Sequence, residues 1–406
     1  MLQLSNEIQG VSLEKLCQEH GTPLYVYDGA KIIHQYNTLK NAFSEVPVRI
    51  KYAIKACTNL AILKLLKEAG AGIDVVSIQE LQIGLKVGFT ASEIMFTPNS
   101  SSYEEIREAV KLGATVNIDN LPYLEKFGKE FGNSYPCFLR INPHIEAGGN
   151  TKIMTGHKES KFGISIDMVD QLYALVKKYN IKVTGVHVHS GSDFKDADAF
   201  VKAAEVIFGV AKNFADLTAL DFGSGFKVAY KEGDHTTDIP ALGKKMTAAF
   251  QNFCKAYGRE LQLWFEPGKF LVSESGILLV NANLVKETPA VTFVGVDSGL
   301  NHLIRPMMYN SYHHIVNISN PKGELKKYNV VGYICETDTF GANMMLNEVR
   351  EGDTLALLNA GAYGFSMSSN YNSRPRPAEV LIENGKARLV RRRETLDDIL
   401  RTQLEA

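Results

Sequence analysis

The chain has 406 residues, which at about 150 residues per domain predicts two or three domains, or one barrel of about 250 residues with a second unit. It is 45% hydrophobic and 22% charged, the mixture of a soluble globular protein with a full core. Its 44 Lys and Arg against 45 Asp and Glu leave a net charge of -1, which argues against a nucleic-acid or membrane-surface protein. The one basic run, Arg391-Arg392-Arg393, leads straight into Glu394, Asp397 and Asp398 and reads as solvated surface.

No apolar run approaches the ~18 residues of a membrane span, and Met1–Glu7 lacks the basic then apolar pattern of a signal peptide. Cys17, Cys57, Cys137, Cys254 and Cys335 are scattered and odd in number, so neither a disulfide framework nor a structural metal site is supported. The expectation is a reduced, cytoplasmic enzyme.

In chain order, β-rich runs fall at Val48–Lys55, Gly72–Ser77, Ile94–Thr97, Thr115–Asp119, Pro136–Asn142, Val183–Ser190, Ala219–Phe222 and Gln262–Phe265. Segments of helical period lie between most of them, at Asn59–Gly70, Ile78–Gly88, Tyr103–Gly113, Leu121–Phe131, Asp167–Tyr179, Ala197–Phe214 and Ile239–Tyr257. Gly70, Gly88 and Gly113 stand where left-handed helix caps belong. Eight alternating units predict parallel strands closed into a (β/α)8 barrel of the TIM type, with an open doubly wound sheet as the alternative.

After Glu266 the rhythm changes. Gly276–Leu284, Val291–Asp297, His314–Ile318, Val330–Cys335, Thr354–Asn359, Ala378–Ile382 and Lys386–Arg391 read as strands joined by turns, giving an all-β barrel or sandwich domain. The early Pro23–Tyr27 strand is free to pair into it. The expected division is a barrel over 30–269, with 1–29 and 270–406 forming the β domain.

Active sites of such barrels lie at the C-terminal strand ends. Those ends carry Lys55, Asp74 with Ser77, Asn99, Asp119, Arg140 with Asn142, His187 with His189, Gly223-Ser224-Gly225, and Glu266. Alternation along Lys51-Tyr-Ala-Ile-Lys55 points Lys51, Ala53 and Lys55 into the barrel. An inward lysine is costly unless paired, and Schiff-base chemistry is a reason to keep one; a lysine reaching solvent from the mouth is the plainer reading. Gly223-Ser224-Gly225 suits a phosphate held on backbone N–H groups after the seventh strand, or a simple turn. Glu266 suits a pyridine nitrogen or an ordinary ion pair. His187-Val-His189 shares one strand face, as a zinc pair or as packing on a planar cofactor. A lysine, a phosphate loop, an acid and a histidine at one mouth together suggest pyridoxal phosphate.

These residues resemble the diaminopimelate decarboxylase family, of the alanine-racemase-like fold group of pyridoxal-phosphate enzymes. The resemblance runs through Gly21–Asp28, Tyr52–Ala56, Thr155–Gly163, His187–Ser192, Glu266–Lys269, Asp297–Tyr309, Cys335-Glu336, Gly361–Tyr363 and Ser369–Pro375. It implies that Lys55 carries the cofactor, His189 stacks on its ring and Glu266 meets the ring nitrogen. Ser192, Gly223, Ser224, Gly225 and Gly268 would hold the phosphate, with Asp74 and Tyr363 completing the cofactor set. Arg305, Tyr309, Glu336, Tyr363 and Lys269 would bind substrate, and Cys335 would be the acid that reprotonates the product. The family brings Cys335 and Glu336 from a partner subunit, so a homodimer with shared sites is implied. Two departures stand out: Lys269 replaces the usual arginine, keeping the charge but not the bidentate fork, and Ser224 replaces a glycine.

The implied reaction is decarboxylation of meso-2,6-diaminoheptanedioate to L-lysine and CO2, the last step of lysine biosynthesis. The alternatives are another basic amino-acid or carboxy-polyamine decarboxylase of this fold, against which Arg305 argues, and a non-catalytic partner-binding homologue.

Overall fold

The computed structural model describes residues 6–145, 156–189, 191 and 196–404. Eight parallel strands, Val48–Ala53, Gly72–Val75, Ile94–Phe96, Thr115–Ile118, Cys137–Asn142, Val183–His187, Ala219–Asp221 and Gln262–Phe265, hydrogen-bond in chain order. The ring closes where Gln262–Phe265 pairs with Val48–Ala53, with Leu263 opposite Val48. It is therefore a closed TIM-type barrel and not an open sheet.

The helices between the strands begin where a side chain can replace the missing intrahelical acceptor. Ser77 accepts from the Glu80 N–H, Ser102 from Glu105 and Asn120 from Tyr123. They stop where the chain turns left-handed: Gly70, Gly88 and Gly113 have φ of 96°, 103° and 83°.

Strand alternation sends one set of side chains outward against the helices and the other into the barrel. Tyr52, Ile73, Ile94, Val116, Leu139, Val186 and Leu220 join the main core. The lower interior is apolar, built from Met95, Phe138, Ala219 and Trp264. Lys51 enters from below, its Nζ 4.3 Å from the Trp264 ring and 3.1 Å from the Glu93 carbonyl. Above that layer the interior turns polar, with Asp74, Arg140, His187, Asp221 and Glu266 all buried.

A second sheet of nine strands follows the barrel, in the order Thr339–Asn347, Leu325–Val331, Thr292–Val296, Gly276–Glu287, Leu24–Asp28, Ala378–Glu383 and Lys386–Arg391. Thr354–Leu357 and Ile315–Asn317 branch from Gly276–Glu287. Most of its pairings are antiparallel, and Leu24–Asp28 lies between Gly276–Glu287 and Ala378–Glu383, parallel to the latter.

Two strand expectations are corrected here. The run Val330–Cys335 forms its strand earlier, over Leu325–Val331, and Cys335 lies in the turn that follows. The chain leaves the ladder at Gly332, where a Cβ would sit 2.1 Å from Asp338 Oδ2. Asp338 instead accepts the backbone N–H groups of Leu300 and Ile334. The nine-residue strand Thr339–Asn347 was not foreseen at all.

Candidate active site

The first barrel strand stops at Ala53, and Ile54–Ala56 make one tight turn. Lys55 is thus carried just beyond the strand and not as its last inward residue. Pairing with the second strand ends at Ala53 opposite Asp74. The Ala56 carbonyl accepts the Tyr363 N–H at 2.7 Å and the Ser366 hydroxyl at 3.1 Å. The β domain therefore fixes the lysine-bearing turn over the barrel mouth.

Lys55, Asp74, His189, Ser224, Gly225, Glu266, Gly268, Lys269 and Tyr363 line one cavity there. Lys55 Nζ is 3.5 Å from Asp74 Oδ2, and its side chain is 42% exposed towards the mouth. Withdrawal from water works against the ammonium, but Asp74, Tyr363 and Glu266 outweigh it and raise the Lys55 pKa. Burial and the nearby Glu266 push the Asp74 carboxyl up to about 7.

His189 follows the sixth strand, and its Nδ1 accepts the Ser224 N–H at 3.4 Å. Burial and the neighbouring Arg140 and Lys55 cations drop its pKa to about 3, so the ring is neutral. Gly223 lies directly beneath it with φ +59°; a Cβ there would come within 2.6 Å of His189 Nδ1. A side chain larger than hydrogen at Gly223 would push the imidazole off its place.

The two histidines part company. His187, fully buried, places Nε2 2.9 Å from Glu266 Oε2. A carboxylate only accepts, so Nε2 carries a proton and donates it to Glu266; burial, the largest influence, lowers the His187 pKa. Burial would raise the Glu266 pKa, but His187 and Lys55 overcome it and hold the carboxyl well below the usual range. Asp221, which accepts the Gly223 N–H at 2.8 Å, moves the other way, raised by burial and by the Glu266 charge. His187, Asp221 and Glu266 each bring one ligand-type atom within 4.8 Å of the other two. The partnership of His187 and Asp221 with Glu266 escaped the sequence, since the residues lie far apart in the chain.

The donor set can be tested against a pyridoxal phosphate. Glu266 Oε1 is buried and has no partner among the described residues, an acceptor placed for a protonated ring nitrogen. The neutral His189 face suits a flat ring, and the Gly223–Gly225 turn after the seventh strand suits a phosphate. Lys55 supplies the amine. The group fits.

Arg305 and Tyr309 share the short helix Arg305–Tyr309. The Arg305 guanidinium carbon is 5.8 Å from the Tyr363 ring and 5.7 Å from Tyr230. Its Nε is buried without a hydrogen-bond partner. Cys335 and Glu336 sit on an exposed turn and are not among the cavity's lining residues. Ser192 lies outside the described residues.

A barrel mouth with this lysine, acid and neutral histidine defines a pyridoxal-phosphate enzyme. Residues 29–273 match the family model "Pyridoxal-dependent decarboxylase, pyridoxal binding domain". The chain is 38% identical to the diaminopimelate decarboxylase of Methanothermobacter thermautotrophicus, across 98% of this chain and 95% of the relative. It is 37% identical to that of Bacillus subtilis over the same shares. The crystal structure of diaminopimelate decarboxylase from Helicobacter pylori complexed with L-lysine superposes with a TM-score of 0.88 at 35% identity, covering 96% of this chain and 98% of that one. A lysine/ornithine decarboxylase from Vibrio vulnificus, at 22% identity and a TM-score of 0.77, shares the fold. The chain belongs to the diaminopimelate decarboxylase family.

Proposed function

We propose that this protein decarboxylates meso-2,6-diaminoheptanedioate to L-lysine and CO2, the last step of lysine biosynthesis. The observation that carries the substrate is Arg305, whose buried Nε lacks a partner beside Tyr363 at the cofactor cavity. A second carboxylate on the substrate satisfies it; an amine-ended substrate leaves it stranded.

Lys55 would hold the cofactor, with Asp74, His189, Gly223, Ser224, Gly225, Glu266, Gly268 and Tyr363 around it. When bound, pyridoxal phosphate acts as the sink for the electron pair left as CO2 departs. Glu266, kept charged by its hydrogen bond with His187, would hold the ring nitrogen protonated. Neutral His189 would cover a flat ring held in this cavity and keep water from it. Arg305 and Tyr309 bind the distal carboxylate, Glu336 the distal amine and Lys269 a carboxylate oxygen. Cys335 donates the proton that replaces the lost carboxylate.

Cys335 and Glu336 lie on a surface turn, and Met307 and Met308, both 42% exposed, and Tyr371, 46% exposed, are further apolar surface of the β domain. That pattern supports a homodimer in which each subunit lends this turn to its partner's site. The five cysteines are free thiols, which agrees with a cytoplasmic location; among the described residues no helix is long and apolar enough to cross a membrane.

The test is CO2 release from meso-diaminopimelate against ornithine, arginine and lysine, with borohydride labelling of Lys55. Strong preference for meso-diaminopimelate and a label at Lys55 are expected. Preference for ornithine or lysine, or a label elsewhere, overturns the reading.

A further inference from the structure

The segment Ser369–Pro375 is a sequence motif that the proposed reaction leaves without a job. Its backbone is strained in the middle: Asn372 and Ser373 both adopt left-handed conformations, with φ of +56° and +54°. Two consecutive non-glycine residues there persist only where surrounding contacts enforce them. The contacts are present. Ser369 N–H reaches the Asn301 carbonyl at 2.8 Å, and Asn370 Nδ2 donates to the Arg374 carbonyl at 3.1 Å and to Glu394. The Arg374 guanidinium stacks 4.0 Å from the Tyr333 ring, two residues before Cys335.

The strained stretch presents two side chains to the Cys335-Glu336 turn. Tyr371 donates its hydroxyl to Glu336 Oε1 at 2.5 Å, and Asn372 Nδ2 lies 3.1 Å from Cys335 Sγ. We propose that Tyr371 and Asn372 are positioning residues that aim Glu336 and Cys335 before the turn enters a site, Tyr371 through the carboxylate and Asn372 through the sulfur. This rests on the reading of Cys335 as the proton donor. In that step the Sγ–H bond breaks, a C–H bond forms at the carbon that lost CO2, and the negative charge lands on sulfur. Water then returns the proton. An N–H aimed at Sγ stabilises that charge and fixes the direction of transfer. Glu336, held by one phenol, keeps its other oxygen for a substrate ammonium. Asn372 makes its contact from a left-handed backbone, which asparagine tolerates better than most residues.

The experiment uses the full-length holoenzyme and reads three quantities: the rate of Cys335 alkylation by iodoacetamide at neutral pH, kcat and KM. Asn372→Gly relieves the strain and removes the donor. Asn372→Asp keeps the shape and opposes the charge. Both are expected to slow alkylation several-fold and lower kcat about tenfold with KM unchanged. The loss should vanish in a Cys335→Ala background, because a positioning effect needs its target. Tyr371→Phe should instead raise KM severalfold with alkylation unchanged. Wild-type alkylation and kcat in Asn372→Gly, or an equal loss with and without Cys335, overturns the inference while leaving Cys335 as the acid. Unaltered product formation by Cys335→Ala overturns the acid assignment, and this inference with it.

Discussion

Glu266 uses its two carboxylate oxygens differently: Oε2 meets His187 Nε2 at 2.9 Å, while Oε1 is buried without a hydrogen-bond donor among the described residues, close to the Asp221 carboxyl. The His187 hydrogen bond and the depressed pKa keep the Glu266 carboxylate charged beneath the cofactor site. His187→Phe removes the donor, and burial then raises the Glu266 pKa. In the native protein the depressed Glu266 pKa preserves the charge throughout the ordinary range, and it is lost only as pH falls far below that of a normal carboxylate. In His187→Phe the loss moves up into the weakly acidic range. Cofactor affinity, measured by visible absorbance titration, should fall about tenfold at neutral pH and more steeply towards pH 6. His187→Gln, which retains an N–H donor, should recover part of it. A pH-independent affinity in His187→Phe would remove His187 from this role.

Specificity should depend on Arg305. Arg305→Ala is expected to lower kcat/KM for meso-diaminopimelate on the order of 10^2-fold, a loss of ~3 kcal/mol in transition-state binding. Preference over lysine should narrow, because the poorer substrate no longer strands a charge. Equal losses for both substrates would take Arg305 out of the site.

Shared sites predict complementation. Lys55→Ala is expected to lack turnover with its fold intact, and Cys335→Ala to bind cofactor yet form product slowly. Mixing the two should restore part of the activity, since one interface then pairs an intact Lys55 with an intact Cys335. Activity no greater than that of the unmixed variants, with subunit exchange shown by mass, would mean each chain completes its own site.

Acid sensitivity follows from histidines buried without charge. Burial holds His302 and His313 down to about 4, against about 6.5 in an unfolded chain. Between those values the unfolded chain binds more protons, so stability is fully present above about 6.5 and is lost as pH falls towards 4. One unit below 6.5 each group costs about 1.4 kcal/mol. The urea midpoint should therefore drop on acidification across this window, and His313→Gln should flatten the slope by one group's share. An unchanged midpoint contradicts it.

The barrel was legible because its signals are local. Runs such as Ile94–Phe96 and Thr115–Ile118 are short, β-rich and closed off by helices that end near Gly70, Gly88 and Gly113. The strand Thr339–Asn347 was not, because Gly341 and left-handed Asn343 break its alternation, and Asn343 N–H bonds to the Asn329 side chain. Lys55 was found by motif, yet its position beyond the strand comes from Tyr363 and Ser366, some 310 residues away. His187 drew notice for its spacing from His189, whereas its partner Glu266 lies 79 residues on. Spacing reads neighbours along one element; the charge at the barrel mouth depends on neighbours across several.

The strand Leu24–Asp28 is made early and finds its neighbours late. One is Gly276–Glu287, and the other, Ala378–Glu383, stands near the far end of the chain. A ribosome that has released the whole barrel sequence still holds back the residues that must flank this strand. Barrel closure can thus precede synthesis of Ala378–Glu383, whereas the second sheet must wait for it. Until then Leu24, Tyr25, Val26 and Tyr27, all fully buried in the finished molecule, present an apolar edge to their surroundings. The nascent chain is accordingly expected to engage a chaperone at its first thirty residues, and a product truncated before Ala378 to aggregate through that edge.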